Sequence, residues 1–234
     1  MVKSPTEEMR AAAPRDIDWS TVDTVLLDMD GTLLDLHFDN YFWQEHLPQR
    51  FAEKHGIEVV AAKRRLEPRF DALRHTIQWY CTDHWSRELD MDIALLKEEV
   101  AHLIAVHPHV VDFLRAVRRS GRRCVLVTNA HQSSVSLKMR HTRLGVHLDR
   151  VISAHELGLP KENDAFWRHL QRIEPFDHAT TLLIDDNLEV LRSAHRFGIA
   201  QLLAVSRPDS RQSPRERAEF PAIDGFRDII PESC

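Results

Sequence analysis

The sequence predicts an α/β protein: a parallel sheet with helices on its faces, carrying one all-helical insertion. Three observations predict it. The short apolar run Val25-Leu26-Leu27 ends in two carboxylates, Asp28 and Asp30, as expected of a buried strand that delivers acids to the carboxyl edge of a sheet. From Pro108 onward, apolar strand-like runs alternate with segments of helical spacing, the pattern of parallel pairing. Between these two regions, residues 37–106 contain no clear strand, and their apolar residues recur at helical spacing.

Within the insertion, Leu47-Pro48 through His55-Gly56 predicts a helix with proline at its start and glycine just past its end. Asp92 is placed to cap a helix whose inward face carries Leu96, Val100, Leu103 and Ile104, and Pro68 is expected to divide the stretch between them. Further on, Val110, Phe113, Leu114 and Val117 line a helix that stops near Ser120-Gly121, and the strand Val125-Leu126-Val127-Thr128 follows. A helix from Val135 to Leu144 ended by Gly145, a strand at Val151-Ile152-Ser153 and a helix through Phe166, Trp167, Leu170 and Ile173 come next. The strand Leu182-Leu183-Ile184-Asp185-Asp186, a helix ending at Gly198 and a strand at Gln201–Val205 complete the pattern. Arg207 to Glu219 is polar and contains proline, so it reads as an exposed loop. The boundaries are then a mobile tail over 1–18, an α/β part over 19–36 and 107–234, and the insertion over 37–106.

Composition narrows the function classes. A chain of 234 residues with 43% hydrophobic and 29% charged content is an ordinary globular protein long enough for one large domain or a core plus insertion. A net charge of −5 argues against a nucleic-acid or membrane-surface binder and for small-molecule partners. Cys81, Cys124 and Cys234 are widely spaced, and Cys124 begins an apolar strand as a small hydrophobe. Residues 1–15 hold no apolar stretch longer than Ala11-Ala12-Ala13, so no signal peptide or membrane span is expected and a reducing cytoplasm is. The histidines show no metal-binding spacing in the sequence. Oligomeric state is not legible.

The chemistry centres on Asp28-Met29-Asp30-Gly31-Thr32. Two carboxylates held this close repel each other and call for a cation. Gly31 permits a turn that could aim the Asp30 carbonyl at that cation, and an oxygen-only set suits Mg²⁺. An acidic β-turn would use the same residues.

The rest of the chain favours the site. Asp-x-Asp-Gly-Thr after an apolar strand resembles the first motif of the haloacid dehalogenase-like phosphohydrolases. Three further signals stand in that family's order: Thr128 with Asn129 at a strand end, Lys161 in Gly158-Leu159-Pro160-Lys161, and Asp185-Asp186 after Ile184. The resemblance implies a Rossmannoid three-layer core around a parallel sheet, with the insertion as a helical cap of the C1 type. It implies Asp28 as nucleophile, Asp30 as general acid and base, and Thr128, Asn129 and Lys161 on the phosphate. One Mg²⁺ would be held by Asp28, the Asp30 carbonyl and Asp186, with Asp185 as a supporting or second ligand. Halide-displacing relatives lack the second acid, so Asp30 speaks against dehalogenation.

The runs Phe38-Asp39-Asn40-Tyr41-Phe42-Trp43-Gln44, His75-Thr76-Ile77-Gln78-Trp79-Tyr80-Cys81 and Thr128-Asn129-Ala130-His131 resemble the purine 5′-nucleotidases of that superfamily. That resemblance implies a purine nucleoside monophosphate, GMP or IMP, as substrate. Asn40, Trp79, Tyr80 and His131 are its candidate contacts. A phosphatase of sugar phosphates or phosphoglycolate, a phosphomutase, and a non-catalytic regulator on the same scaffold remain open.

Overall fold

The computed structural model describes residues 17–215 and 219–231; most of the predicted tail, and Cys234, lie outside these. Among the described residues, six strands form one parallel sheet in the order β3-β2-β1-β4-β5-β6. They are β1 (Thr24–Leu27), β2 (Arg123–Thr128), β3 (Arg150–Ser153), β4 (Thr181–Asp185), β5 (Gln201–Val205) and β6 (Ala222–Ile223). The strands read as continuous apolar runs because the sheet is covered on both faces. Side chains alternate between the layers: Val25 and Leu27 of β1 join one apolar cluster, and Leu26 joins the other.

The helical insertion comprises α1 (His37–Tyr41), α2 (Leu47–His55), α3 (Val59–Leu73), α4 (Thr82–Leu89) and α5 (Ile93–Glu99). Then α6 (Val110–Arg119) and α7 (Gln132–Thr142) cover the insertion side of the sheet, while α8 (Asp164–Ile173) and α9 (Leu188–Phe197) cover the opposite face. Phe38, Phe42, Trp85 and Ile93 of the insertion share one buried cluster with Val25, Leu126 and Ile184 of the sheet. Trp85 is fully buried, its ring edge-on to Phe70 at 5.0 Å and its indole N–H donating to the Trp79 carbonyl at 2.9 Å. No helix among the described residues is long and apolar enough to cross a membrane.

Several local expectations change. Pro68 does not divide the insertion but sits exposed inside α3. Ala62 and Leu66 before it and Phe70 after it all face the apolar cluster, and that packing outweighs the lost backbone hydrogen bond. A π-helical turn, Phe42–His46, joins α1 to α2, and a widened turn accommodates the missing N–H and bulky ring of Pro48. Helix α7 ends at Arg143, which takes φ 57° and donates its N–H to the Met139 carbonyl, rather than at Gly145. Asp92 does cap α5, accepting from Leu95 N.

The stretch after β5 is only partly an exposed loop. Pro208 and Asp209 are buried, and the Asp209 carboxylate accepts from Asn40 Nδ2 at 2.7 Å. Two-residue β6 then pairs with β5; so short a strand carries no readable period. Replacing Pro68 with Ala restores a backbone donor in mid-helix and is expected to stabilise the protein by about 1–3 kcal/mol, read as a higher urea midpoint with unchanged slope.

Candidate active site

Strand order brings the acids to one point. The chain runs from β1 outward to β2 and β3, then crosses to β4 on the other side of β1. This reversal opens a crevice beyond the carboxyl ends of the strands, where open α/β sheets hold ligands. Asp28 and Asp30 follow β1, Thr128 ends β2, Asp185 ends β4, and Lys161 enters from the turn between β3 and α8.

Lys161 Nζ donates to Asp28 Oδ1 at 2.5 Å and to Asp185 Oδ2 at 2.6 Å. Its backbone N–H donates to Asn129 Oδ1 at 2.8 Å, which fixes the turn that delivers it. Asp28, Asp185 and Asp186 present carboxylate oxygens within 4.8 Å of one another. Asp185 Oδ1 accepts the Asn187 N–H, and Asn187 itself caps α9; the cap therefore leaves Asp186 free to face the site. Gly31 turns the chain at φ 86°, and a Cβ there would fall 2.7 Å from Asp186 Cγ, so only glycine lets this turn pack on that carboxylate.

Burial pushes the Asp28 carboxyl up to about 7, against the opposing pull of Lys161 and with added repulsion from Asp185 and Asp30. Burial likewise lifts Asp185 to about 6 and Asp186 to about 7; Asp186 adds to the first shift and Asp28 to the second. Three buried carboxylates thus share one buried ammonium. Arg215 adds a half-exposed guanidinium, donating to the Asp186 carbonyl at 2.8 Å and to its Oδ2 at 3.1 Å. The set remains short of positive charge, and its donors are all oxygen, so it could hold a hard divalent cation.

Asp30 faces a different environment. Lys138, 1% exposed, brings Nζ within 2.6 Å of Asp30 Oδ1 and 2.6 Å of Asp39 Oδ2. The approach to Asp30 is Coulombic, since that oxygen lacks hydrogen-bond geometry to any donor, whereas the approach to Asp39 is a hydrogen bond. Lys97 donates to Asp39 Oδ1 at 2.7 Å. Burial raises the Asp30 carboxyl above its ordinary value, and Asp39 adds to this while Lys138 opposes it. Burial acts on Asp39 too, but the two ammonium groups outweigh it and hold that carboxyl well below the usual range.

All the sequence-predicted site residues except His131 line one cavity of about 950 Å³ between insertion and sheet. Thr128 Oγ1 accepts the Ala130 N–H at 3.0 Å. Tyr80 donates its hydroxyl to Glu162 Oε1 at 2.6 Å, and Asn129 Nδ2 donates to Glu162 Oε2 at 2.9 Å. Trp79 stacks near-parallel on Trp43 with centroids 6.3 Å apart. Asn40 is engaged by Asp209. His131 does not line the cavity; its Nδ1 lies 2.7 Å from the hydroxyl of Thr82, which does.

The residues missed by sequence reasoning are Lys97, Lys138, Asp39, Glu162 and Arg215. Two of them carried a signal: Lys97 sits on the stripe Ile93, Leu96, Val100, and Lys138 lies one turn beyond buried Ser134 and Val135. A charge on the buried face of a helix needs a buried partner.

A family model of haloacid dehalogenase-like hydrolases matches residues 22–198. The chain is 38% identical over 216 residues to the GMP/IMP nucleotidase YrfG of Escherichia coli (strain K12), covering 92% of this chain and 97% of that one. Phosphoglycolate phosphatase 1 of Pseudomonas aeruginosa is 24% identical over 147 residues, covering 62% of this chain and 54% of its own. Among solved structures, the HAD phosphatase from Thermococcus onnurineus superposes with a TM-score of 0.73 at 20% identity, covering 89% of this chain and 96% of that one. With its parallel sheet, its acids at the carboxyl edge of β1 and β4, and this family match over most of its length, the chain belongs to the haloacid dehalogenase-like hydrolases and is a phosphoric monoester hydrolase.

Proposed function

We propose that the chain is a Mg²⁺-dependent 5′-nucleotidase that removes the phosphate of purine nucleoside monophosphates, GMP and IMP foremost. The observation that carries the substrate is the 38% identity running across 97% of a GMP/IMP nucleotidase, a match long enough to include the helical insertion that forms one wall of the cavity. The observation that supports the reaction is the pair of acids after β1, set in unlike surroundings.

In the reaction we infer, the Asp28 carboxylate attacks phosphorus, a bond forms from its oxygen, and the bond from phosphorus to the nucleoside oxygen breaks. Asp30, whose burial favours the protonated form, gives its proton to the departing alkoxide. Asp30 then takes a proton from water as that water attacks the phosphorus of the aspartyl phosphate, releasing inorganic phosphate and restoring the Asp28 carboxylate. Lys161, between Asp28 and Asp185, offsets charge as the phosphoryl group arrives. Thr128 and the backbone around Asn129 hold phosphate oxygens. Asp28, the Asp30 carbonyl and Asp186, supported by Asp185, would hold Mg²⁺, which when bound neutralises phosphate oxygens and relieves their repulsion with Asp28. Lys138 acts as a positioning residue, holding the Asp30 carboxyl toward the cavity.

Phosphate release from a panel of nucleoside monophosphates and sugar phosphates is expected to be strongest on GMP and IMP, to stop with EDTA, and to fall at least about 10³-fold in Asp28→Asn; turnover centred on sugar phosphates would discard the nucleotidase. Lys138→Met is expected to lower kcat for GMP by about 10–10²-fold with KM changed only a few-fold, and Lys138→Arg to recover part of the loss. Equal losses in kcat and in folding stability would make Lys138 merely structural. Asp186→Asn removes one of the repelling carboxylates, so the metal-free protein should gain on the order of 1–2 kcal/mol while Mg²⁺ no longer raises its Tm; a native-like Mg²⁺ response in this variant would place the cation elsewhere.

A further inference from the structure

Three side chains far apart in sequence meet on the flank of the cavity. Cys81 caps the start of α4 in the insertion, His131 caps the start of α7, and His155 lies in the short 3₁₀ turn after β3. The Cys81 sulfur and a ring nitrogen from each histidine lie within 4.8 Å of one another, and the two imidazoles stand edge to face with centroids 4.9 Å apart. None of the three lines the active-site cavity. Their spacing in sequence matches no motif, which is why the histidines looked unremarkable there.

The donors are already arranged as ligands. His155 Nε2 is buried and has no hydrogen-bond partner; a ring nitrogen in that position goes unused unless something binds it. Nδ1 of His131 meets the Thr82 hydroxyl at 2.7 Å and the Ser133 hydroxyl at 3.2 Å; as an N–H donating to Thr82 it gives up the long 3.5 Å cap from the Ser133 N–H and leaves Nε2 as the ligand, the kind of outer contact that orients a metal-bound histidine. Asp83 Oδ2 lies 3.6 Å from His131 Nε2 on the solvent side, outside the three-donor group. The Cys81 thiol is half-buried and reduced.

We propose that Cys81, His131 and His155 form a binding site for a borderline-soft divalent cation of the Zn²⁺ class, stapling the helical insertion to the sheet. A thiolate with two imidazoles selects such an ion, whereas the oxygen-only cluster of Asp28, Asp185 and Asp186 selects a hard one. The two sites therefore sort cations by donor chemistry. Binding releases the Cys81 thiol proton to solvent and joins α4 to α7 and to the turn after β3. The proposal stands apart from the nucleotidase reading, because it rests on no residue used in that reaction.

The test is optical. The full chain, reduced and with Mg²⁺ in excess to saturate the carboxylates, is titrated with Co²⁺. One equivalent is expected to give a near-ultraviolet thiolate-to-cobalt charge-transfer band together with the intense visible bands of a tetrahedral ion. Cys81→Ser keeps a side-chain oxygen that can cap α4 and should abolish the charge-transfer band with an unchanged far-ultraviolet circular dichroism spectrum; His155→Gln should abolish or shift the visible bands; Asp186→Asn should leave both in place. Zn²⁺ should displace the cobalt and raise the Tm of the native chain but not of Cys81→Ser. No charge-transfer band in the native chain, or a band that survives Cys81→Ser, overturns the proposal. A band lost in Asp186→Asn assigns the cobalt to the carboxylate cluster and overturns it equally.

Discussion

Burying three carboxylates around a single lysine is the constraint on which the arrangement of this protein turns. Lys161 satisfies Asp28 and Asp185 by hydrogen bonds of 2.5 and 2.6 Å, yet the group as a whole stays electron-rich, and burial pushes each acid toward its neutral form. An uncompensated buried charge costs several kcal/mol, so the rest of the fold must either supply positive charge or tolerate the deficit. The sheet order delivers the acids from two adjacent strands, β1 and β4. Gly31 removes the one Cβ that would block Asp186. Arg215, from the segment after β5, reaches back across the crevice to that same carboxylate.

The insertion is bound to this centre rather than suspended above it. Its aromatic residues share a cluster with the sheet, and several polar ties cross the boundary at the cavity wall. Among them, one runs from Asp39 in α1 to Lys138 in α7 and another from Tyr80 to Glu162 beside Lys161. Glu162 also receives Asn129 and Asn187, so a single carboxylate gathers the loops after β2, β3 and β4 together with the insertion. Burial, then the charge of Glu162 and its hydrogen bond, keep the Tyr80 phenol protonated, and the tie holds as a neutral donor to a carboxylate.

Much of this was legible from residues alone because the motifs lie at strand ends, where a short apolar run gives way to polar residues within one or two positions. Asp28, Thr128 and Asp185 each follow such a run, and their strands pair as neighbours of β1. What stayed hidden depends on packing between distant segments. Pro68 looked like a boundary because local propensity ends helices at proline, but Ala62, Leu66 and Phe70 hold α3 together from both sides. Asp209 and Arg215 looked like solvent loop because the partners that draw them inward, Asn40 and Asp186, lie far upstream. His131 reads as a substrate contact from its distance to Thr128 in sequence; its ring stands against Thr82, which lines the cavity, and His155, which does not.

The two acids after β1 are only two residues apart and yet are held in opposite balance. Around Asp28, Asp185 and Asp186 add negative charge and Lys161 alone is buried with them. Around Asp30, one further carboxylate, Asp39, is met by two buried ammonium groups, Lys97 and Lys138. With Asp30 ionised this group balances, and with Asp30 protonated it carries excess positive charge, so in neither state does it call for a cation, whereas the Asp28 group invites one. A cation that settles on the deficient side favours ionised Asp28, while Asp30, outside that cluster, keeps the elevated pKa that burial imposes on it. Burial raises both carboxyls, so it is a cation bound at the Asp28 cluster that would give Asp28 the ionised role and leave the protonated role to Asp30. Lys97 and Lys138, residues of two helices that no motif includes, oppose the rise that burial imposes on Asp30, so the readiness of Asp30 to give up its proton is set by the packing of the insertion against α7 as well as by the motif that carries the two acids.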